Sequence, residues 1–153
     1  MVKKVEKRVR SRIFMITQYE YNPKTGEDLN FNEAIIRKGL EIRQDSLQAW
    51  AYIRHDKDKY NQDDDIPEDK KIGDNRPAHW HVMLQFKNAV EISGIARDFG
   101  VSENYVERWQ GHGAFLTGIQ YLTHEHPRQH KDLGKYRYER EEVKFASEEI
   151  AQH

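Results

Sequence analysis

The segment AHWHVMLQF, residues 78–86, alternates between two sets of side chains. Successive side chains of a β-strand point to opposite faces, so His79 and His81 share one face with Met83 and Gln85. The other face is apolar and is predicted to enter a core; its members are Trp80, Val82, Leu84 and Phe86. Imidazole is the commonest metal ligand, and two imidazoles on a rigid strand point at one position. A solvated strand face explains the same pair without a metal, so the pair alone establishes no site.

The composition indicates one domain without thiol chemistry. The chain has 153 residues, enough to bury a core, and it has no cysteine. Disulfides and thiolate metal sites are therefore excluded. No apolar run reaches the roughly 20 residues that cross a bilayer, and the N-terminus does not have the pattern of a secretory signal. We therefore expect a cytoplasmic protein that has no membrane partner.

The charged residues are unevenly distributed along the chain. The formal net charge is −1, which gives no general argument for nucleic-acid binding. The first twelve residues nevertheless contain one acid, Glu6, and six basic residues: Lys3, Lys4, Lys7, Arg8, Arg10 and Arg12. A basic arm at residues 1–11 can follow a phosphate backbone, and a solvated terminus is an equally good explanation. Residues 139–153 are predicted to form a charged C-terminal tail.

The periodicity of residues 12–138 predicts the element order β-α-β-β-α-β-α. Strands are expected at residues 12–21, 47–54, 79–86 and 105–110, and helices after a cap at Asn30 or Asn32, at 90–99 and at 113–125. A long acidic loop joins the second and third strands, and loops of this length are usually functional or disordered. This order favours an α+β domain of the ferredoxin-like kind, with a mainly antiparallel sheet.

Two further residues strengthen the case for a metal at the histidine pair. His55 and Asp58 follow the second strand, and hairpin pairing of that strand with the third would bring them beside His79 and His81. Three imidazoles and a carboxylate form a mixed nitrogen and oxygen set. Such a set suits Mn²⁺ and can accept Mg²⁺, Co²⁺ or Zn²⁺, and ligand type alone does not choose among them.

The last predicted helix carries a candidate nucleophile. Tyr121 lies off the buried stripe of this helix, on the side of His124 and Glu125, whereas Phe115 and Leu122 lie on the stripe. A phenol has a pKa near 10, so it needs a polarised electrophile or a nearby base to attack. An exposed or edge-packed aromatic residue explains the same spacing. Two later tyrosines, Tyr136 and Tyr138, are predicted to be surface or cap residues.

Three short motifs resemble, in order, those of the HUH endonucleases. They are HDKD at 55–58, HWHV at 79–82 and YLTHE at 121–125. The series is most similar to that of rolling-circle replication initiators (Rep proteins) of plasmids from Gram-positive bacteria, and the similarity spans roughly residues 10–138. The resemblance implies that His55, Asp58, His79 and His81 bind a divalent metal and that Tyr121 is the nucleophile. The long acidic loop departs from the family, and nothing after about residue 140 resembles an oligomerisation or helicase domain.

The function implied by this resemblance is nicking and joining of single-stranded DNA at a plasmid replication origin. A 5′-phosphotyrosyl intermediate, a Mn²⁺ cofactor and host replication machinery as a partner belong to the same expectation. Two other functions remain open on the residues alone. One is a non-catalytic ferredoxin-like module that stacks bases on exposed aromatic rings. The other is a hydrolase of small phosphoesters with a metal-bound water, which would not need Tyr121.

Overall fold

A computed structural model describes residues 10–111, 113–125 and 135–146. The predicted basic arm, apart from its last two residues, lies outside the described residues, as does the end of the predicted tail. Within the described ranges, no helix has both the length and the apolar character needed to cross a membrane.

The described residues form five strands and three helices. Their bounds are β1 Arg10–Tyr19, α1 Glu33–Ile42, β2 Leu47–His55, β3 His79–Glu91, α2 Ile92–Phe99, β4 Val106–Trp109, α3 Ala114–Thr123 and β5 Lys144–Phe145. The first seven follow the predicted order, with ends shifted by a few residues. Of the two proposed caps, Asn32 is the one used: its side-chain oxygen accepts a hydrogen bond from the backbone N–H of Ile35 at 3.1 Å.

The strands form one antiparallel sheet in the order β4-β1-β3-β2-β5. The β-α-β-β-α-β order with β1 and β3 at the centre confirms the predicted α+β, ferredoxin-like fold. The fifth strand was not predicted. It places Phe145 opposite Ala51 of β2, so part of the segment interpreted as a charged tail joins the sheet edge.

The alternation along β3 builds a core on each face of the sheet. The face of Trp80, Val82, Leu84 and Phe86 is buried in a core, as predicted, and packs there against α1 and α2. The opposite face, which carries the histidines, is covered by α3 and by residues that follow it, around Met83, Phe115 and Leu122. The histidine pair therefore does not lie on a solvated strand face.

A small residue lets α3 approach β3 closely. A Cβ atom at Gly118 would lie 2.7 Å from the Met83 sulfur and closer still to the Met83 terminal methyl. Met83 lies two residues after His81 on the same strand face. The contact between Gly118 and the end of the Met83 side chain therefore places α3, which carries Tyr121, directly over the histidine face.

We predict that Gly118→Val lowers the free energy of unfolding by about 1–3 kcal/mol, because the added side chain overpacks the contact with Met83. Gln120→Val is the matched control, since Gln120 is exposed on the same helix and the substitution there costs about 0.5 kcal/mol or less. Urea unfolding of both variants measures the difference. Equal stability of the two variants would contradict the close approach of α3.

Candidate functional site

The pairing of β2 with β3 brings the predicted ligand residues together. His55 is paired with His79, and Ile53 with His81. The ring centroid of His55 lies 5.3 Å from that of His79 and 4.4 Å from that of His81. Asp58 follows the end of β2, and its Oδ2 lies 3.2 Å from both His55 Nδ1 and His79 Nε2. The predicted approach of these four residues is therefore present in the fold.

Backbone carbonyls determine which nitrogen of two imidazoles carries a hydrogen. A carbonyl oxygen only accepts, so the nitrogen in contact with it must donate. His55 Nε2 donates to the Leu122 carbonyl, and His79 Nδ1 donates to the Pro77 carbonyl at 3.0 Å. In a neutral ring the other nitrogen of each residue then carries a lone pair. Both of these lone-pair nitrogens lie beside Asp58 Oδ2.

The convergence of electron-rich atoms fits a bound cation. His79 Nε2 is buried and forms no hydrogen bond, a situation that usually costs about 1–3 kcal/mol. Ligand nitrogens of His55, His79 and His81 lie within 4.8 Å of one another. Atoms on opposite sides of an ion are about 4 Å apart, so small side-chain adjustments would suffice for coordination. These buried histidine and aspartate side chains can therefore hold a metal ion.

The environment favours the neutral form of the His79 and His81 imidazoles and the ionised form of the Asp58 carboxyl. Loss of solvent contact is the main cause that lowers the pKa of His79 and of His81; for His81 the neighbouring imidazoles lower it further. Burial alone would raise the pKa of the Asp58 carboxyl, but an N–H or a positive charge at the facing nitrogens of His55 and His79 holds it well below its usual range, and a cation bound there acts in the same direction. These are the protonation states that metal ligands require.

His124 joins the cluster from the end of α3. It caps the helix in a left-handed conformation with φ 63°, and its ring centroid lies 4.6 Å from that of His55. Its Nδ1 donates to the Tyr136 carbonyl. His124 forms a second possible ligand group with His55 and Asp58. From the helix spacing His124 was predicted to lie beside Tyr121, with no ligand role.

Tyr121 lies at the same cavity as the cluster. A cavity of about 350 Å³ is lined by Tyr121 and, among others, by Asp58, His81 and His124. Tyr121 is half-buried, and its ring packs edge-on against Trp109 with centroids 5.5 Å apart. The phenol is thus on the histidine side of the sheet. Glu125, on the same side of the helix in sequence, accepts two hydrogen bonds of 2.9 Å from Arg140.

Arg76 and Lys135 also line this cavity. No sequence pattern had singled out these two cationic residues. Arg76 donates to the Tyr19 hydroxyl at 2.8 Å, so its guanidinium is held in place. Burial lowers the pKa of Lys135, and the charge of Arg76 lowers it further. Arg76 lies in the long acidic loop and Lys135 lies beyond α3, where no periodic pattern draws attention to either.

The prediction that Tyr138 is a surface or cap residue is wrong. Tyr138 is 1% exposed, its ring stacks on His55 with centroids 4.2 Å apart, and its hydroxyl donates to Asp58 Oδ1 at 2.7 Å. Burial raises the pKa of Tyr138, and the charge of Asp58 raises it further, so the hydroxyl stays protonated. Tyr136, by contrast, is 45% exposed, as predicted.

We predict that the metal-free domain loses stability as the pH falls from about 6.5 to about 4. Burial, followed by the proximity of His55, lowers the pKa of His124 from 6.5 to about 4 in the fold. In this window the unfolded chain binds the proton and the folded chain does not, so acid favours unfolding, by up to about 3 kcal/mol. Urea unfolding with a chelator at several pH values measures the slope. A His124→Gln variant should show a shallower slope, and an unchanged slope would contradict this assignment.

Two comparisons with known proteins agree with the geometry. Residues 6–150 match the family model described as plasmid replication protein, origin binding domain. A replication protein from Onion yellows phytoplasma (strain OY-M) is 31% identical over 122 residues, which are 76% of this chain and 30% of that protein. The chain thus spans about 30% of the length of this relative. The family match includes all three motifs and every residue of the cavity. The chain belongs to the family of origin-binding domains of plasmid replication proteins.

Proposed function

We propose that this domain nicks and rejoins single-stranded DNA at a plasmid replication origin. In this proposal Tyr121 is the nucleophile, and His55, Asp58, His79 and His81 bind a divalent metal. The observation that carries it is the cavity that Tyr121 shares with Asp58 and His81. Family membership supports the plasmid origin as the target, and we propose host replication proteins as the partners that act at the nicked origin.

Mn²⁺ is the metal that we favour, with Mg²⁺ as an alternative, because the set mixes imidazole and carboxylate ligands. When bound, the metal supplies a Lewis acid that polarises the scissile phosphate. The chain itself contributes orientation: the carbonyls of Leu122 and Pro77 keep one lone pair of His55 and of His79 available.

The cations of the cavity support binding of a phosphodiester. Arg76 and Lys135 line the same cavity as Tyr121 and Asp58. An anionic phosphate would form charge-assisted hydrogen bonds with both. It would also relieve the repulsion between the two cations, which contributes to the lowered pKa of Lys135.

The proposed reaction is a transesterification. The Tyr121 oxygen forms a bond to phosphorus while the bond from phosphorus to the 3′ oxygen breaks. The phenol loses a proton and the 3′ oxygen gains one, so the products are a 5′-phosphotyrosyl link and a free 3′-hydroxyl. Because one phosphodiester replaces another, the reverse step can rejoin the strand. The 3′-hydroxyl can meanwhile prime DNA synthesis.

The covered sheet argues against a module that only stacks bases. Such ferredoxin-like modules use an open sheet face with exposed aromatic rings. Here α1 and α2 cover one face, and α3 covers much of the other. The second alternative is hydrolysis of small phosphoesters by a metal-bound water. Unlike our proposal, that reaction would not need Tyr121.

We predict that Tyr121→Phe abolishes nicking and covalent capture, with rates reduced by about 10³-fold or more, because the ring is kept and the attacking oxygen is removed. Labelled single-stranded origin oligonucleotide with Mn²⁺, analysed for an SDS-resistant adduct, measures the loss. Oligonucleotide affinity should remain within about twofold of the native value.

Tyr136→Phe is the control for this experiment, since Tyr136 is exposed and should retain both activities. An SDS-resistant adduct formed by Tyr121→Phe would show that another residue is the nucleophile. Phosphate-ester cleavage that persists in Tyr121→Phe without any adduct would favour the metal-bound water.

We also predict that Lys135→Gln weakens binding of single-stranded DNA in a salt-dependent way. Loss of one phosphate contact should reduce the slope of log affinity against log salt by about 0.7. Lys38→Gln, on the exposed side of α1 at the other face of the sheet, is the control and should leave the slope unchanged. Equal slopes for both variants would remove Lys135 from the DNA contact.

A further inference from the structure

Tyr138 contacts two residues of the proposed ligand set while offering no ligand itself. Its hydroxyl donates to Asp58 Oδ1 at 2.7 Å, and its ring lies parallel to that of His55, with 5° between the planes. The backbone N–H of Lys57 donates to the same hydroxyl oxygen at 2.9 Å. Because that donor already points at the oxygen, the hydroxyl hydrogen is directed toward Asp58.

These contacts fix the orientation of the Asp58 carboxylate. With Oδ1 held by Tyr138, rotation about the bond to the carboxyl group is restricted. Oδ2 then remains beside His55 Nδ1 and His79 Nε2, at 3.2 Å from each. The stacked ring likewise restricts the His55 plane, whose Nε2 is held by the Leu122 carbonyl. A ligand set held in one arrangement loses less entropy when an ion binds.

The segment that carries Tyr138 is itself tied to the site. The Tyr138 N–H donates to the Thr123 carbonyl at 2.9 Å, at the end of α3. The Tyr136 carbonyl accepts from His124. A few residues later, β5 pairs with β2, the strand that ends at His55. Residues 135–146 thus lie against the ligand cluster and are anchored both to the end of α3 and to β2.

We propose that Tyr138 is a positioning residue of the metal centre, acting on the metal through Asp58 and His55. The inference rests on the metal site of the proposed function and adds to it a residue outside the three motifs. Loss of partners that orient metal ligands typically lowers metal affinity by about 10–100-fold. Removal of the Tyr138 hydroxyl should therefore weaken metal binding although every ligand remains.

The test compares Tyr138→Phe with Tyr52→Phe. Tyr52 is also fully buried, and its hydroxyl also donates to a carboxylate at 2.7 Å, that of Glu33. It belongs to the core on the other face of the sheet. Each variant loses one hydrogen bond between a tyrosine hydroxyl and a carboxylate, which is buried at Asp58 and half-buried at Glu33. Tyr138→Phe also loses the bond from the Lys57 N–H, and only the Tyr138 bonds reach the ligand cluster. The two variants therefore separate a general loss of stability from an effect on the metal.

Calorimetric titration of the whole chain with Mn²⁺ alone is the measurement. We expect at least about tenfold weaker binding for Tyr138→Phe and a change within about twofold for Tyr52→Phe. At saturating Mn²⁺, nicking by Tyr138→Phe should return to within a few-fold of the native rate, because Tyr121 is untouched. Addition of Mn²⁺ should not restore nicking by Tyr121→Phe.

Native affinity in Tyr138→Phe, or an equal loss in Tyr52→Phe, would overturn the inference. A native chain that binds no Mn²⁺ would instead overturn the metal site of the proposed function. If Tyr138→Phe is unfolded without metal, the Mn²⁺ concentration that refolds it reports the affinity through linkage. The positioning role would also be rejected if the Mn²⁺ affinity obtained in this way fell below the native affinity by no more than the loss of stability measured for Tyr52→Phe.

Discussion

The register of β2 against β3 is the constraint on which the site depends. It pairs His55 with His79, and the two-residue period of a strand then puts His81 on the same face. A slip of one residue would send either strand's ligands into the opposite core. The large apolar residues on the other face of β3, such as Leu84 and Phe86, are fully buried and penalise that slip. The core thus protects the register, and the register places the ligands.

The site is costly to fold without a cation. A buried carboxylate and two buried imidazole lone pairs converge within hydrogen-bonding distance, and the carbonyls of Leu122 and Pro77 occupy the imidazole hydrogens. Repulsion of this kind is offset only by a proton or a metal ion. Without a cation, the apolar packing on both faces of the sheet keeps these side chains in place. The free energy that this cluster costs the metal-free fold is therefore recovered when a cation binds, and it adds to the cation affinity.

The parts of the structure that follow a local period were predictable from the sequence. Alternation located β3 and its buried face, and the spacing of Phe115 and Leu122 located α3. Hairpin pairing was enough to bring His55 beside His79. Tyr138, Arg76 and Lys135 were not predictable in this way, because each lies in an irregular segment. Tyr138 meets Asp58 across 80 residues of sequence, and β5 is two residues long, so neither leaves a periodic signal.

The strand pattern also could not predict which part of the chain covers the histidine face. Alternation shows which side chains share a face, but the residue that covers a face can come from anywhere in the chain. Here α3 crosses close to Met83 because Gly118 has no side chain, and the chain then returns with Tyr138 against His55. The same crossing carries Tyr121 to the cavity and His124 to the cluster. One helix and the segment after it thus supply both the cover of the histidines and the candidate nucleophile, so the proposed metal site and the nucleophile depend on one packing arrangement.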